Sequence, residues 1–273
     1  MSDGLLLFQV DAFTSAAYAG NPAAVCILEQ EMSGEWMQAV SAEMNLSETA
    51  FLLLREKGYN LRWFTPVSEV DLCGHATLAS AHVLWGENLL DHKTKARFFT
   101  RSGPLFAKFD PPWIELDFPA QPAGKCSDPG GLCVALGIAK PVFIGKSEAD
   151  YLVEVNSEDT LVKLKPNFQR LAEFGARGVI VTARASSSGY DFVSRFFAPG
   201  LGIDEDPVTG SSHCTLGPYW QQKLGKDRMF ALQASARGGE LHVIPSGERV
   251  FLTGKAVTVL RGELLALDEP GGQ

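Results

Sequence analysis

An α+β fold in two lobes of similar build, each a twisted or barrel-like sheet around one central helix, is predicted by three features of this sequence. At 273 residues the chain is long for one compact core. Short segments rich in β-formers and bounded by Gly, Pro or Asn recur through both halves. Two further segments, Asp71-Leu72-Cys73-Gly74-His75-Ala76-Thr77 and Asp206-Pro207-Val208-Thr209-Gly210-Ser211-Ser212, follow one plan. In each, an acid-base side chain precedes a glycine, and a small or hydroxylated residue then opens an apolar helical pattern.

The elements follow in order. Strands are expected at Leu5 to Ala12, Ala23 to Leu28, Ala50 to Leu54, Asn60 to Phe64 and Ala96 to Thr100. Between them, Trp36, Met37, Val40 and Met44 mark one face of a surface helix from Gly34 to Met44, running into Asn45. From Ala76 to Trp85 nearly every residue is apolar or small, so this helix should be surrounded by protein on most sides. Ile114 to Phe118 ends the first lobe, and Pro119, Pro122, Gly124 and Pro129 then mark a boundary, giving lobes of 1–118 and 119–273 with the last strand free to cross back. In the second lobe, strands at Val153 to Val155, Val179 to Ala183, Asp191 to Phe197, Leu241 to Pro245, Arg249 to Gly254 and Ala256 to Arg261 surround a helix from Ser211 to Leu224. Ala185 to Gly189 reads as a hairpin tip and Asp268 to Gln273 as a frayed tail.

Composition excludes several function classes. A net charge of −8, without a Lys/Arg cluster, argues against nucleic acid or an anionic membrane surface as partner. The N-terminus lacks a signal-peptide pattern and no apolar run reaches the ~18 residues of a membrane span, which points to the cytoplasm. Cys26, Cys73, Cys126, Cys133 and Cys214 are odd in number and form no C-x-x-C pair, so reduced thiols are expected rather than disulfides or a zinc knuckle. His82, His92 and His242 show no ligand spacing, and no metal is expected. Gly200-Leu201-Gly202 lacks the third glycine and the context of a dinucleotide fingerprint and is read as a turn. Trp63, Phe64, Phe98 and Phe99 are assigned to the core.

The paired helix starts carry the chemistry. A helix N-terminus offers unpaired N–H groups and the positive end of the macrodipole, so it holds carboxylates and stabilises an enolate-like oxyanion. With an acid-base group at each start, the pattern suits an isomerase of a small carboxylic acid.

Gly20-Asn21-Pro22, Asn45-Leu46-Ser47-Glu48-Thr49, Leu72-Cys73-Gly74-His75-Ala76-Thr77 and Asp206-Pro207-Val208-Thr209-Gly210-Ser211 together resemble the phenazine-biosynthesis-like (PhzF-like) family of the diaminopimelate-epimerase fold. The likeness runs from about Leu7 through Arg237-Gly238-Gly239-Glu240-Leu241 to the last strands, and is greatest to the family's poorly characterised branch. It implies two pseudo-symmetric lobes with the site in the cleft between them, no cofactor, and frequent homodimers. It also implies roles for single residues. Glu48 matches the family's catalytic Glu, and beside Leu46, Ala50 and Phe51 its carboxylate should lose hydration, raising its pKa. His75 matches a histidine that binds substrate or shuttles protons, and Cys73 stands where the epimerases of this fold place a first catalytic thiol, with a depressed pKa expected at a helix start. Asp206 replaces the second thiol, which excludes a diaminopimelate epimerase, and serves as acid, base, N-cap or holder of a substrate ammonium. Gly74, Gly210 and Ser211 are the expected substrate-binding positions.

Three readings result. One is a cofactor-independent isomerase or epimerase with Glu48 as acid-base. The second is a two-base epimerase using Cys73 and Asp206. The third is a metabolite-binding or interaction protein in which the fold is kept without catalysis. The roles of Arg195, Arg237 and His213 stay open at this level, as does the substrate.

Overall fold

The structure, a computed structural model, describes residues 4–186 and 188–265. These fall into two compact units, 4–117 with 253–265 and 118–252. The chain from Thr253 on groups with the N-terminal unit.

In the first unit the chain passes through β1 (Leu5–Ala12), β2 (Asn21–Leu28), α1 (Gly34–Met44), β3 (Glu48–Arg55), β4 (Gly58–Phe64), β5 (Glu69–Val70), α2 (Gly74–Gly86), β6 (Ala96–Thr100), β7 (Gly103–Asp110) and β8 (Trp113–Pro119). The second unit holds β9 (Gly124–Lys125), α3 (Leu132–Leu136), β10 (Phe143–Lys146), β11 (Asp150–Glu154), α4 (Glu158–Val162), α5 (Phe168–Ala172), β12 (Gly178–Arg184), β13 (Phe192–Ala198), β14 (Ile203–Asp206), α6 (Gly210–Leu224), β15 (Met229–Gln233), β16 (Gly239–Ser246) and β17 (Arg249–Gly254). The closing strand β18 (Ala256–Leu264) pairs antiparallel with β1.

One pairing grammar is written twice. Strands β1–β2, β3–β4 and β6–β7 pair antiparallel, while β2–β3 and β4–β6 pair parallel. In the second unit β10–β11, β12–β13 and β15–β16 pair antiparallel, while β11–β12 and β13–β15 pair parallel. Each parallel link needs a crossover, since a tight turn only reverses the chain. Helix α1 supplies the first crossover of the first unit and α2 the second; α4 with α5, and then α6, do so in the other. In each unit a short strand, β5 or β14, pairs with the preceding long one and delivers the chain to the start of the unit's long apolar helix.

Helix α2 is the core of the first unit. Gly74 to Ala81 and Val83 to Trp85 are all buried, and the helix packs on β1, β2, β3 and β18. Its two hydroxyls cause no penalty there because Thr77 Oγ1 donates to the Cys73 carbonyl at 2.5 Å and Ser80 Oγ to the Ala76 carbonyl at 2.7 Å. Helix α6 buries Gly210, Ser212 to Gly217 and Trp220, and packs on β16. Pro218 removes the N–H that would reach the Cys214 carbonyl, and the Gln121 N–H takes its place at 3.0 Å.

The assignment of four aromatics to the core holds for Trp63, Phe64 and Phe98, which are buried. Phe99 is the exception: half-buried, it carries the Arg97 guanidinium 4.8 Å from its ring centroid, an arrangement suited to a partly wet face. Arg195 is held bidentate by Glu205 at 2.7 and 2.8 Å and donates to the Leu161 and Leu164 carbonyls, so its fork is spent on structure. All five cysteines are free thiols. Among the described residues no helix is long and apolar enough to cross a membrane. The tail read at Asp268 to Gln273 lies outside the described residues.

Candidate active site

The first unit brings Glu48, Cys73 and His75 together, with Asn21 beside them. Asn45 ends α1 in the left-handed conformation at φ 49°, a role its short amide side chain tolerates, and the chain re-emerges three residues later as β3 with Glu48 first. Parallel pairing aligns Glu48 with Ala23, close to where Asn21 opens β2. Gly20 makes that approach feasible, because at φ +65° a Cβ would lie 2.2 Å from the Ala12 carbonyl oxygen.

Cys73 is the N-cap of α2, makes no side-chain capping bond, and hands over to His75 in the first turn. His75 is 4% exposed. Its Nε2 lies 3.0 Å from Glu48 Oε2, its Nδ1 3.1 Å from the Asn21 amide nitrogen, and the Cys73 sulfur 3.5 Å from Nδ1. Buried Oε2 accepts no well-aligned hydrogen bond among the described residues, so the 3.0 Å contact is an ion pair with spare acceptor capacity. Burial works to lower the His75 pKa. The Cys73 sulfur, as a hydrogen-bond partner at Nδ1, and the Glu48 carboxylate outweigh it, and the imidazole keeps its proton well above the ordinary histidine range.

The thiol departs from expectation. Burial, and after it the Glu48 charge, push Cys73 up to about 11, although a helix start should pull it down. The reason is placement: the sulfur is buried beside a carboxylate, and those effects exceed the dipole's pull and that of the neighbouring imidazole. Near neutral pH Cys73 is a thiol rather than a thiolate.

In the second unit, Thr209 is the N-cap of α6, the position that Cys73 holds on α2. Asp206 lies three residues earlier, at the end of β14, and does not cap the helix itself; it accepts from the Thr209 hydroxyl. Buried Gln233 locks this turn, accepting from the Thr209 N–H at 2.9 Å and donating to the Asp206 carbonyl at 2.7 Å. His213 Nδ1 donates to the Thr209 carbonyl at 2.8 Å, and Ser212 Oγ donates to the same oxygen at 2.8 Å. Burial pulls His213 down to about 4, which makes it a neutral, structural imidazole.

Ser211 holds the outward place in this first turn. Its Oγ accepts from Arg177 Nη1 at 2.8 Å, which leaves the hydroxyl proton available to an anion. Arg177 is fixed in turn by Asp150, wholly buried, through Nε to Oδ1 at 2.9 Å and a second bond from Nη2. Sequence gave no role to Asn21, Arg177, Asp150 or Gln233. Asn21 lies inside a motif that sequence singles out, whereas nothing in the local pattern marks Arg177 or Asp150, whose pairing spans 27 residues.

A family model described as phenazine biosynthesis-like protein matches residues 10–262. An uncharacterized isomerase of Halalkalibacterium halodurans is 54% identical over 260 residues, covering 95% of this chain and 98% of that one. The human phenazine biosynthesis-like domain-containing protein is 40% identical, with 96% and 99% covered. The crystal structure of a PhzF-family phenazine biosynthesis protein from Enterococcus faecalis superposes with a TM-score of 0.90 at 39% identity, over 95% of this chain and 98% of that chain. The chain thus has the α+β fold of the phenazine biosynthesis-like (PhzF) family and belongs to that family, among relatives that are named isomerases.

Proposed function

We propose that this isomerase moves a proton on a small carboxylate-bearing metabolite, with Glu48 as the group that takes and returns it. The observation that carries the reading is the buried pair of Glu48 and a protonated His75 at the start of α2. In the step envisaged, a Glu48 oxygen accepts a proton from the carbon next to, or conjugated with, the substrate carboxylate. The bonding pair moves into the conjugated system, and negative charge grows on oxygen. The N–H groups of Gly74 and His75, the positive end of α2 and the imidazolium offset that charge, a contribution often worth several kcal/mol of barrier. Returning the proton to another carbon gives an isomer, and returning it to the other face gives an epimer. Gly210 and Ser211 at the α6 start, where Arg177 turns the Ser211 hydroxyl into a donor, are a second position suited to a carboxylate. Asp206, tied to Thr209, shapes that turn.

The test is solvent exchange. Incubated in deuterium oxide with amino, hydroxy and unsaturated acids, the protein should place deuterium on a carbon of at least one of them, and Glu48→Gln should not. A broad panel without enzyme-dependent exchange, or exchange undiminished in Glu48→Gln, overturns the reading and leaves a binding protein.

A further inference from the structure

We infer that Glu48, Cys73 and His75 form a binding site for a thiophilic divalent cation of the zinc class, which closes the site to the chemistry proposed above. One carboxylate oxygen, one sulfur and one imidazole nitrogen from these residues lie within 4.8 Å of one another, the only such trio of His, Cys, Asp or Glu among the described residues. Two of the separations at Nε2 are 3.0 Å to Glu48 Oε2 and 4.0 Å to Cys73 Sγ. A tetrahedral zinc with ordinary bond lengths sets its N, O and S ligands about 3.4 to 3.6 Å apart, so the triangle becomes a ligand set with a shift of roughly half an ångström at each of these two edges and of up to about 1.2 Å at the third, between the Glu48 oxygen and the Cys73 sulfur, which is at most 4.8 Å. Rotamer adjustments of Glu48, which is the least buried of the three, supply the shifts at its own two edges, and a small turn of the Cys73 thiol or the His75 ring closes the edge between them.

The donors have the required kinds. Sulfur, imidazole and carboxylate together suit zinc and cobalt better than magnesium or calcium, which want oxygen alone. Three protein ligands leave a fourth position for water. The surroundings resemble a ligand's supporting shell: the Asn21 amide stands 3.1 Å from Nδ1, the ring nitrogen a metal on Nε2 would leave over, and the amide can turn its oxygen to accept from Nδ1–H. The Cys73 carbonyl, fixed by the Thr77 N–H at 3.2 Å and the Thr77 hydroxyl, holds the thiol's backbone in place. Binding replaces the S–H bond and any proton on the ligating ring nitrogen by metal bonds and releases those protons to solvent.

The experiment needs no substrate, so its outcome is separate from that of the exchange test. The full chain, treated with chelator and reductant, is titrated with Co²⁺ while the thiolate-to-cobalt absorption in the near ultraviolet is followed. One equivalent should saturate the band and Zn²⁺ should displace it, as zinc outcompetes cobalt at sulfur-containing tetrahedral sites. Cys73→Ala should abolish the band, His75→Gln should weaken cobalt binding by a hundredfold or more, and Asn21→Ala by ten- to a hundredfold. Circular dichroism of each variant confirms that it is folded. The absence of a saturable band in the wild type, or a band of full strength in Cys73→Ala arising from another thiol, overturns the proposal.

Discussion

At the start of α2 an imidazole is buried beside a carboxylate and keeps its proton; at the start of α6 an imidazole is buried beside a carbonyl and loses it. Both helices are reached from a short strand paired to the preceding long one, and both form the crossover of the second parallel link of their unit. Burial opposes the charged form in both. The partner decides the sign, since a carboxylate returns electrostatic energy that a carbonyl dipole cannot match. One backbone plan has therefore become a start that holds a buried imidazole–carboxylate pair in α2 and a rigid donor start in α6, where Thr209, Gln233 and Arg177 are occupied in orienting one another and Ser211.

The largest effect should come from Glu48→Gln, which makes the α2 start electrically like the α6 start. Substrate deuterium exchange should fall by at least about a hundredfold, the lower end of what a positioned acid-base group contributes. In the chelator-treated protein, the His75 ring should stay protonated through neutral pH in the wild type and lose its proton at lower pH in Glu48→Gln, as read from imidazole chemical shifts. An unchanged His75 titration would break the comparison, because Glu48 would not then be the charge that separates the two histidines.

Second in size is the pair beneath Ser211. Arg177→Met leaves the Asp150 carboxylate buried without its cation, which costs about 3–5 kcal/mol for a fully buried pair, and the one-third exposure of Arg177 moves the expectation toward the lower figure. Combining it with Asp150→Leu should recover most of that loss in a denaturant titration, because no unpaired charge remains. Carboxylate binding should stay weak in the double variant, since Ser211 has lost its donor. If binding returns with stability, Arg177 has no part in preparing the hydroxyl.

How much of this was legible in the sequence follows from the range of the interactions. Helices α1 and α6 and strand β1 lie where periodicity and capping put them, because helix and strand patterns are written within a few residues. The pattern of strand β7 is masked in sequence although its burial alternates, since Pro104 and Lys108 lie on its wet face. At the site, Glu48, His75 and Cys73 were named from motifs that mark their backbone positions. The thiol's pKa was misjudged because burial beside Glu48 depends on a contact across 25 positions of chain, which no local spacing encodes. Arg177 with Asp150, and Gln233 with Thr209, are pairs of the same long-range kind.

The third effect isolates the α6 histidine. With a folded value near 4 against about 6.5 in the unfolded chain, His213 binds fewer protons when folded between those limits. Stability therefore rises with pH in that window: the contribution is complete above about pH 6.5 and is lost as pH falls through 4, a swing of about 3 kcal/mol at most. His213→Asn, whose amide can still donate to the Thr209 carbonyl, should remove this slope from the difference between variant and wild type. A difference that does not vary with pH from 6.5 to 4 would mean that His213 becomes protonated in place, and that the two helix starts are closer in chemistry than the geometry indicates.

The smallest effect is expected at Cys73, and it separates a one-base from a two-base isomerase. A thiol raised to about 11 leaves roughly one part in ten thousand as thiolate at pH 7. A mechanism through that thiolate would then gain about tenfold in kcat/KM for each pH unit up to that range, and would stop in Cys73→Ala. With Glu48 as the base, kcat/KM should show no such climb, and Cys73→Ala should change metal-free exchange by less than tenfold. Alkylation offers an independent reading, because iodoacetamide attacks only the thiolate. The rate at Cys73, followed by peptide mapping, should stay far below that of a free cysteine at pH 8. Fast alkylation at neutral pH, together with loss of exchange in Cys73→Ala, would return the thiol to the mechanism and make the α2 start a two-group acid-base device.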